Sequence, residues 1–221
     1  MTLVPTKSEY AYLQLRKLIV SGVLPPGSTI NQDQLSTDLG VSTTPIREAL
    51  RRLSAENFVV IDAHRDTRVV GLSESEARDL LEVRTTLEVL AIRLACERAT
   101  TANLITLEHL FRQMSHRDYR LTDNALNAHR QFHHAIHLAS QNQALHATLV
   151  RVYNQCDRYV RFGIEASRTS AVTDDFSEHE RFIELIRDRD SRSAEELMLS
   201  HVENSLLGRA LLHLSSNEVL A

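Results

Sequence analysis

The chain has 221 residues, of which 43% are hydrophobic and 24% charged, and its formal net charge is −4. This composition excludes a fibrous or wholly disordered chain, and the length allows one large domain or two small ones. Apolar runs of only a few residues exclude a membrane-spanning helix. Two widely separated cysteines exclude a disulfide framework, so we expect a reduced, cytoplasmic protein.

Residues 1–72 contain the elements of a winged helix-turn-helix domain. Apolar residues at helical spacing end at turn signals such as Gly22, and short β-branched runs follow them. The predicted elements are helices at 8–21 and 31–40, a helix with Thr44 as N-cap and Pro45 as its first residue, and strands at 58–61 and 68–70. Three helices followed by a small β-hairpin make a DNA-binding domain of this kind.

Residues 73–221 show no strand pattern. Apolar residues recur three and four positions apart, which is typical of helices that pack in a bundle. The predicted helical stretches are 75–98, 102–119, 122–140, 143–169, 174–189 and 191–214. The fold class is therefore mainly α, with a winged helix-turn-helix at 1–72 and a six-helix antiparallel bundle at 73–221.

Charge and histidine are unevenly distributed between these halves. Residues 1–72 carry eight Lys or Arg against seven Asp or Glu, whereas residues 73–221 carry seventeen against twenty-two. Ten of the eleven histidines lie in the second half. An ordinary acidic helical domain does not need ten histidines, so we expect a histidine-based site there.

The segment 34–53, QLSTDLGVSTTPIREALRRL, carries the clearest functional pattern. It places Thr43, Thr44 and Arg47 in the first turn of a helix and Arg51 one turn further along the same face. Hydroxyls and backbone N–H groups at a helix start suit phosphate, and arginine suits the O6 and N7 atoms of guanine. The helix is therefore predicted to read DNA.

The DNA prediction has a wing component and an alternative. At the tip of the hairpin, His64 and Arg65 are placed either to enter the minor groove or contact phosphate, or to form an exposed polar turn. The helix also fits an ordinary solvated surface, with Glu48 paired to Arg51 or Arg52.

Four histidines of the second half are predicted to hold a metal ion. His129 and His133 are four residues apart, so they lie on one helical face about 6 Å apart along the axis. His179 and His201 lie on later helices, as ligands that a bundle brings together would. Neutral imidazoles favour zinc, nickel, copper or ferrous iron over magnesium or calcium. Hydrogen-bonded core histidines are the alternative.

The other histidines of this half are expected to have ordinary roles. His134 and His137 share a helix with His133 and are expected to face outward. No ligand spacing is found for His109, His116, His146 and His213.

The N-terminal pattern resembles the GntR family of bacterial transcription regulators. The segment 39–60, LGVSTTPIREALRRLSAENFVV, follows the family pattern with fixed spacing over 22 residues. Thr43 stands where the family usually has a base-reading arginine, which implies a different operator half-site. Asn57 and Asp66 stand where glycines are common, and both residue types tolerate positive φ, so the fold is expected to survive.

The second half resembles the effector-binding domain called FCD, found in the FadR branch of the same family. The matching landmarks are Glu82-Val83-Arg84 with Glu88, Phe132-His133, Ala139-Ser140, Asn142, Glu178-His179 and His201. The resemblance implies a metal site of one aspartate and three histidines, with His129 in the position of the aspartate. This chain is thus expected to be a four-histidine variant that prefers zinc or nickel, or to keep three ligands if His129 turns away.

Arg84 is the candidate effector-binding residue. The family resemblance implies that an arginine at this place meets a carboxylate effector. An i,i+4 ion pair with Glu88 is the alternative, and one arginine can do both in different ligation states.

Together these features predict a ligand-responsive transcription regulator and not an enzyme. A homodimer is expected to bind a palindromic operator in double-stranded DNA, because one winged helix buries too little surface for tight binding. A small carboxylate effector at a metal-containing cavity would control DNA affinity, with repression as the expected mode. The alternatives are a metallohydrolase whose histidine-bound zinc activates water, and a metal-binding protein without a DNA function.

Overall fold

The computed structural model of the chain describes residues 5–62, 66–114, 123–166 and 176–217. These residues form ten helices and one two-stranded antiparallel sheet, so a mainly α fold with a small hairpin is confirmed. The elements are α1 (Lys7–Val20), α2 (Gln32–Leu39), α3 (Thr43–Ala55), β1 (Val59–Ile61), β2 (Thr67–Val69), α4 (Glu74–Arg98), α5 (Thr101–Met114), α6 (Asp123–Ala139), α7 (Gln143–Ala166), α8 (Phe176–Asp188), α9 (Ser191–Glu203) and α10 (Leu206–Asn217). Among these helices, none is both long enough and apolar enough for a bilayer span.

Local capping fixes the helix-turn-helix. The Asn31 side chain accepts hydrogen bonds from two backbone N–H groups at the start of α2, and Gly40 ends that helix with a φ of 65°. The prediction of Thr44 as N-cap of α3 was wrong, because Ser42 holds that position with extended backbone. Pro45 lies in the first turn, where backbone N–H groups have no partner within the helix and proline removes no bond.

The apolar stripes of α1 and α3 meet in one core with the hairpin. The largest fully buried side chains there are Leu15, Ile46, Leu50, Leu53 and Phe58. β1 pairs with β2 in the register Val59↔Val69, Val60↔Arg68 and Ile61↔Thr67. The predicted contact residues His64 and Arg65 lie outside the described residues.

The helical half is built around α4, which contacts α6, α7, α8, α9 and α10. Its main core joins apolar residues of α4, α5, α6, α8 and α9, with Ile92, Phe132, Phe182 and Met198 fully buried. Cys96 lies in this core and Cys156 in a smaller one, both as free thiols. Burial raises the pKa of Cys96 to about 11 and that of Cys156 to about 12.

The last predicted helical stretch, 191–214, divides into α9 and α10. The backbone N–H of Asn204 bonds to the carbonyls of Ser200 and Val202 and ends α9, and α10 begins three residues after its last residue. A Cβ at Gly208 would lie 2.1 Å from the carbonyl oxygen of Glu203. Only glycine allows this close approach, so the turn that directs α10 onto α7 depends on a residue that helical periodicity does not single out.

Polar contacts fasten the two halves to each other. Arg158 of α7, which is 6% exposed, donates to both carboxylate oxygens of Glu76 at 2.5 Å and to the carbonyl of Asn57 at 3.1 Å. The Asn57 side chain also donates to Glu76 at 2.7 Å. Asn57 has a φ of 61°, in the left-handed region that asparagine tolerates. The turn between α3 and β1 is therefore held directly against the helical half.

Candidate metal centre and nucleic-acid interface

Three helices bring the four predicted histidines together. His129 and His133 lie on α6, His179 on α8 and His201 in the last turn of α9. One ring nitrogen from each lies within 4.8 Å of the others. His129 is half-buried and the other three are buried. The predicted set is thus adjacent in space as well as at the expected spacing in sequence.

Apolar rings form the wall of this four-histidine cluster. Phe132, which is next to a cluster histidine on α6, lies 5.2 Å from His179 between ring centroids. Phe182, one turn after His179 on α8, lies 5.3 Å from His201. The i,i+4 pair on α6 has ring centroids 4.6 Å apart. Water is therefore largely excluded on this side, which strengthens the interaction of the rings with any bound charge.

The tautomer of His201 suits a bound cation. His201 Nδ1 lies 2.6 Å from Glu178 Oε2, and because a carboxylate oxygen accepts, Nδ1 carries the proton. Its Nε2 lone pair then points at His133 Nε2, 3.3 Å away. Two ligands about 2.0–2.1 Å from a tetrahedral zinc ion lie about 3.3 Å apart, so these two nitrogens already have the separation of ligands.

Burial keeps two rings of the cluster neutral. Desolvation, reinforced by neighbouring imidazoles and by Arg84, lowers the pKa of His129 and of His133 well below the ordinary histidine value. Neutral rings offer lone pairs without first releasing protons. These two rings therefore stay available to a metal ion below the pH at which an ordinary histidine becomes protonated.

A second buried network adjoins the cluster through Glu88. Arg84, 3% exposed, donates from Nη2 to the Tyr153 hydroxyl at 3.2 Å, and its Nε lies 3.7 Å from Glu88 Oε1. The Tyr153 hydroxyl in turn donates to Glu88. Glu88 Oε1 lies 3.8 Å from His133 Nδ1. The structure thus shows the i,i+4 ion pair that was the alternative for Arg84, and it places that pair beside a predicted metal ligand.

His137 is also part of this network, and the prediction that it faces outward was wrong. It is fully buried, and its Nε2 donates to Glu88 Oε2 at 2.8 Å. Burial raises the pKa of Glu88, but His137 and Arg84 outweigh that effect and lower it to about 2. His134 is only half-exposed. The i,i+4 relation of His137 to His133 was the sequence signal for its inward direction.

The predicted DNA-reading residues lie on one side of α3. Thr44, Arg47 and Arg51 are exposed and Thr43 is half-buried, whereas Ile46 and Leu50 face the core. Arg47 Nε donates to Gln32 Oε1 at 3.3 Å, so the start of α2 orients this guanidinium. That arrangement leaves a polar, partly basic surface at the N-terminal end of α3, where DNA phosphates and bases are read in helix-turn-helix proteins.

The solvated-surface alternative paired Glu48 with Arg51 or Arg52, but in the structure Glu48 and Arg52 contact other residues. Glu48 accepts a hydrogen bond from Ser8, and Arg52 pairs with Glu9 at 2.7 Å and with Glu56 at 3.3 Å. Arg52 also stacks on a tyrosine of α1, with its Cζ 3.5 Å from the ring centroid. Arg52 therefore ties α3 to α1, whereas Arg47 and Arg51 stay on the outer surface.

Sequence reasoning missed the carboxylates that support the cluster. Glu178 precedes a predicted ligand, but its partner His201 is 23 residues away on another helix. Spacing within one helix contains no information about that contact. Glu88 was considered only as a partner of Arg84, although it also contacts His137 and Tyr153.

Both halves of the chain match known protein families. The model of the FCD domain matches residues 79–204, and that of the bacterial regulatory proteins of the gntR family matches residues 7–69.

Similar proteins support the same assignment over most of the chain. The Nta operon transcriptional regulator of Aminobacter aminovorans is 31% identical over 178 residues, which are 80% of this chain and 82% of that protein. The transcriptional repressor GlaR of Escherichia coli K12 is 25% identical over 198 residues, which are 86% of this chain and 90% of that protein. The solved structure of E. coli McbR/YncC has the same fold, with a TM-score of 0.79 at 19% identity and coverage of 97% of this chain and 100% of that one.

Proposed function

This chain belongs to the GntR family of bacterial transcription regulators and carries an FCD domain, and from that premise we propose that it is a metal-dependent repressor whose operator affinity responds to a small anionic effector. The family binds DNA operators and is not enzymatic, so the metallohydrolase interpretation was wrong. The observation that carries the metal-dependent part is the gathering of four histidine donors within 4.8 Å.

The proposed metal is zinc or nickel. A set of neutral imidazoles, with no carboxylate among the four donors, prefers nitrogen-binding transition metals to manganese or magnesium. The bound ion would keep its full +2 charge, because no ligand of the set is anionic. That charge would be the attraction for an anionic effector at an open coordination position.

The proposed effector is a small carboxylate that reaches the metal beside Arg84. Arg84 presents a guanidinium, the group that binds carboxylates in bidentate fashion, and Glu88 links it to the cluster at 3.8 Å from His133. In the structure that charge is paired with Glu88 at 3.7 Å and bonded to Tyr153. An effector would therefore compete with Glu88 for Arg84, and the side chain of Glu88 would shift relative to His133 and His137.

The proposed DNA-binding form is a homodimer on a palindromic operator. Thr43, Thr44, Arg47 and Arg51 of α3 are the proposed contact residues, with His64 and Arg65 at the wing. One winged helix buries little surface, and two-fold symmetry doubles it. A protein with this task works in the cytoplasm, and we place the boundary between its two domains at residues 72–73.

Two arginines that share acceptors on α7, Arg16 and Arg130, form an arginine pair that would couple the two domains. Arg16 of α1 donates to Asn154 at 3.1 Å and pairs with Asp157, both on α7. Arg130, the residue after His129, donates to the same Asn154 oxygen and the same Asp157 oxygen, each at 2.5 Å. A movement of His129 on ligand binding would change how strongly Arg130 holds these acceptors, and with them the position of α1.

Selection of an operator from random duplex DNA tests the proposal. The full chain, loaded with zinc or stripped with a chelator, is equilibrated with the selected duplex at fixed salt, and a panel of small carboxylates is added. We expect a palindromic site, dimer binding, and at least a fivefold change in Kd with metal and carboxylate together. A metal-free chain with the same affinity and the same carboxylate response would refute metal dependence.

A further inference from the structure

Three histidines outside the four-histidine cluster also gather at the α6–α7 junction. His134 and His137 lie one turn apart on α6, and His146 lies in the first turn of α7. His137 is fully buried, and the other two are half-buried. Their ring centroids are separated by 5.7 Å (His134 to His137), 5.8 Å (His134 to His146) and 6.3 Å (His137 to His146).

Each ring of this trio has a nitrogen that nothing in the described structure satisfies. His134 Nε2, His137 Nδ1 and His146 Nδ1 are shielded from solvent and have no hydrogen-bond partner among the described residues. A buried polar atom without a partner is destabilising by about 1–3 kcal/mol, and three of them in neighbouring rings point to a ligand-binding site. We infer that this trio is a second binding site for a transition-metal ion, such as zinc or cobalt.

Glu88 already orients the central ring of the trio. His137 Nε2 donates to Glu88 Oε2 at 2.8 Å, so the Nδ1 of a neutral ring is left as a lone pair. A ligand histidine whose other N–H is held by a carboxylate is the usual arrangement at metal sites in proteins. Glu88 would thus support this second site through Oε2. Its other oxygen, Oε1, lies 3.8 Å from His133 of the four-histidine cluster, so one carboxylate adjoins both sites.

The geometry requires small ring movements. Three histidines on a tetrahedral ion with bonds of about 2.0–2.1 Å have ring centres roughly 5 Å apart. The trio exceeds this separation by about 1 Å, so the rings must rotate inward to bind. His134 and His146 are half-buried whereas His137 is fully buried, so the inward rotation falls to the first two rings. Because the rings must move to bind, we expect the trio to bind a metal ion more weakly than the four-histidine cluster.

The charges that face the trio are balanced before the ion enters. Arg130 acts on His134, but it is paired with Asp157 at 2.5 Å. Arg84 is paired with Glu88, which also faces His137. The neutral forms of His146 and Tyr153 add no charge around the trio. Glu88 bonds directly to His137, so a carboxylate lies beside a ring that the cation would bind.

Metal stoichiometry tests the inference with the full chain. Protein stripped with a chelator is titrated with Zn²⁺ and with Co²⁺, followed by calorimetry and by cobalt absorption, and its fold is checked by circular dichroism. We expect two equivalents in the wild-type chain, the second bound at least tenfold more weakly. His134→Gln with His146→Gln removes one equivalent, and His179→Gln removes the other. His109→Gln, a change at an exposed histidine bonded to Gln113, should leave both.

The outcomes separate this inference from the proposed function. An equivalent that disappears with His134 and His146 but survives His179→Gln supports the second site, even if the four-histidine cluster binds nothing. If the wild-type chain binds one equivalent, and that equivalent survives the change at His134 and His146, the second site does not exist. Two equivalents that both survive that double change overturn it as well.

Discussion

Removing the carboxylate of Glu178 should weaken metal binding at the four-histidine cluster. Glu178 contacts no metal itself. It holds the Nδ1–H of His201 at 2.6 Å, fixes the tautomer that points Nε2 at the other ligands, and makes that nitrogen a stronger donor. Glu178→Ala removes the bond, and Glu178→Gln keeps a neutral acceptor but removes the charge.

The structure sets the size of the effect. Loss of a hydrogen-bonded carboxylate behind a ligand histidine lowers metal affinity about 10–100-fold, or about 1.4–2.7 kcal/mol. One of four ligands is affected here, and the Glu178 side chain is 32% exposed, so water partly replaces the lost acceptor. We therefore expect a fall of about tenfold in Glu178→Ala and about threefold in Glu178→Gln.

Competition with a chromophoric chelator measures these affinities. The zinc Kd of each variant is compared with the wild-type value at pH 7.5, and Glu180→Ala is the control because Glu180 is an exposed carboxylate on the same helix. An affinity of Glu178→Ala within twofold of both wild type and control would refute the positioning role of Glu178 and the ligand role of His201 Nε2.

Four further outcomes are expected. Arg47→Ala should weaken binding to the selected operator by about 1–3 kcal/mol and relax base preference, measured by fluorescence anisotropy on operator and scrambled duplexes. If wild type and Arg47→Ala bind the operator with equal affinity, α3 does not read its bases. Arg16→Met should keep metal affinity and reduce the effect of metal on operator Kd at least threefold, whereas an undiminished effect would leave the arginine pair without a coupling role. His129→Asp should still bind metal but shift preference from zinc towards manganese in competition titrations, and unchanged selectivity would mean that His129 is not a ligand. In the metal-free chain, buried His133 stays neutral, whereas the same residue in the unfolded chain is protonated below about pH 6.5. The free energy of unfolding should therefore fall by about 1.4 kcal/mol for each pH unit below pH 6.5 because of this residue. Urea titrations with chelator at pH 7.5 and 5.5 measure this change, and equal stability at the two pH values would contradict the burial of a neutral His133.

Local sequence signals were sufficient where one element decides the outcome. Asn31 and Gly40 cap α2 through backbone bonds and a left-handed φ that depend on neighbouring residues alone. The i,i+4 spacing of His129 and His133 likewise places both rings on one face whatever packs against it.

Contacts between distant helices decided the rest. His137 was predicted to face outward, but it is buried, and its partner Glu88 lies 49 residues away on α4. Glu178 gained a role only when α8 and α9 packed side by side. Gly208 marks a turn because of a carbonyl on the preceding helix, which no hydrophobic pattern encodes.

The two buried thiols make this chain convenient for site-directed labelling. Cys96 and Cys156 are shielded and stay protonated at neutral pH, so neither competes for thiol-reactive probes. A cysteine introduced at an exposed position of the hairpin, such as Val60, would react selectively. In the proposed homodimer, spin labels at that position would report the spacing of the wings, as a distance distribution recorded with and without metal.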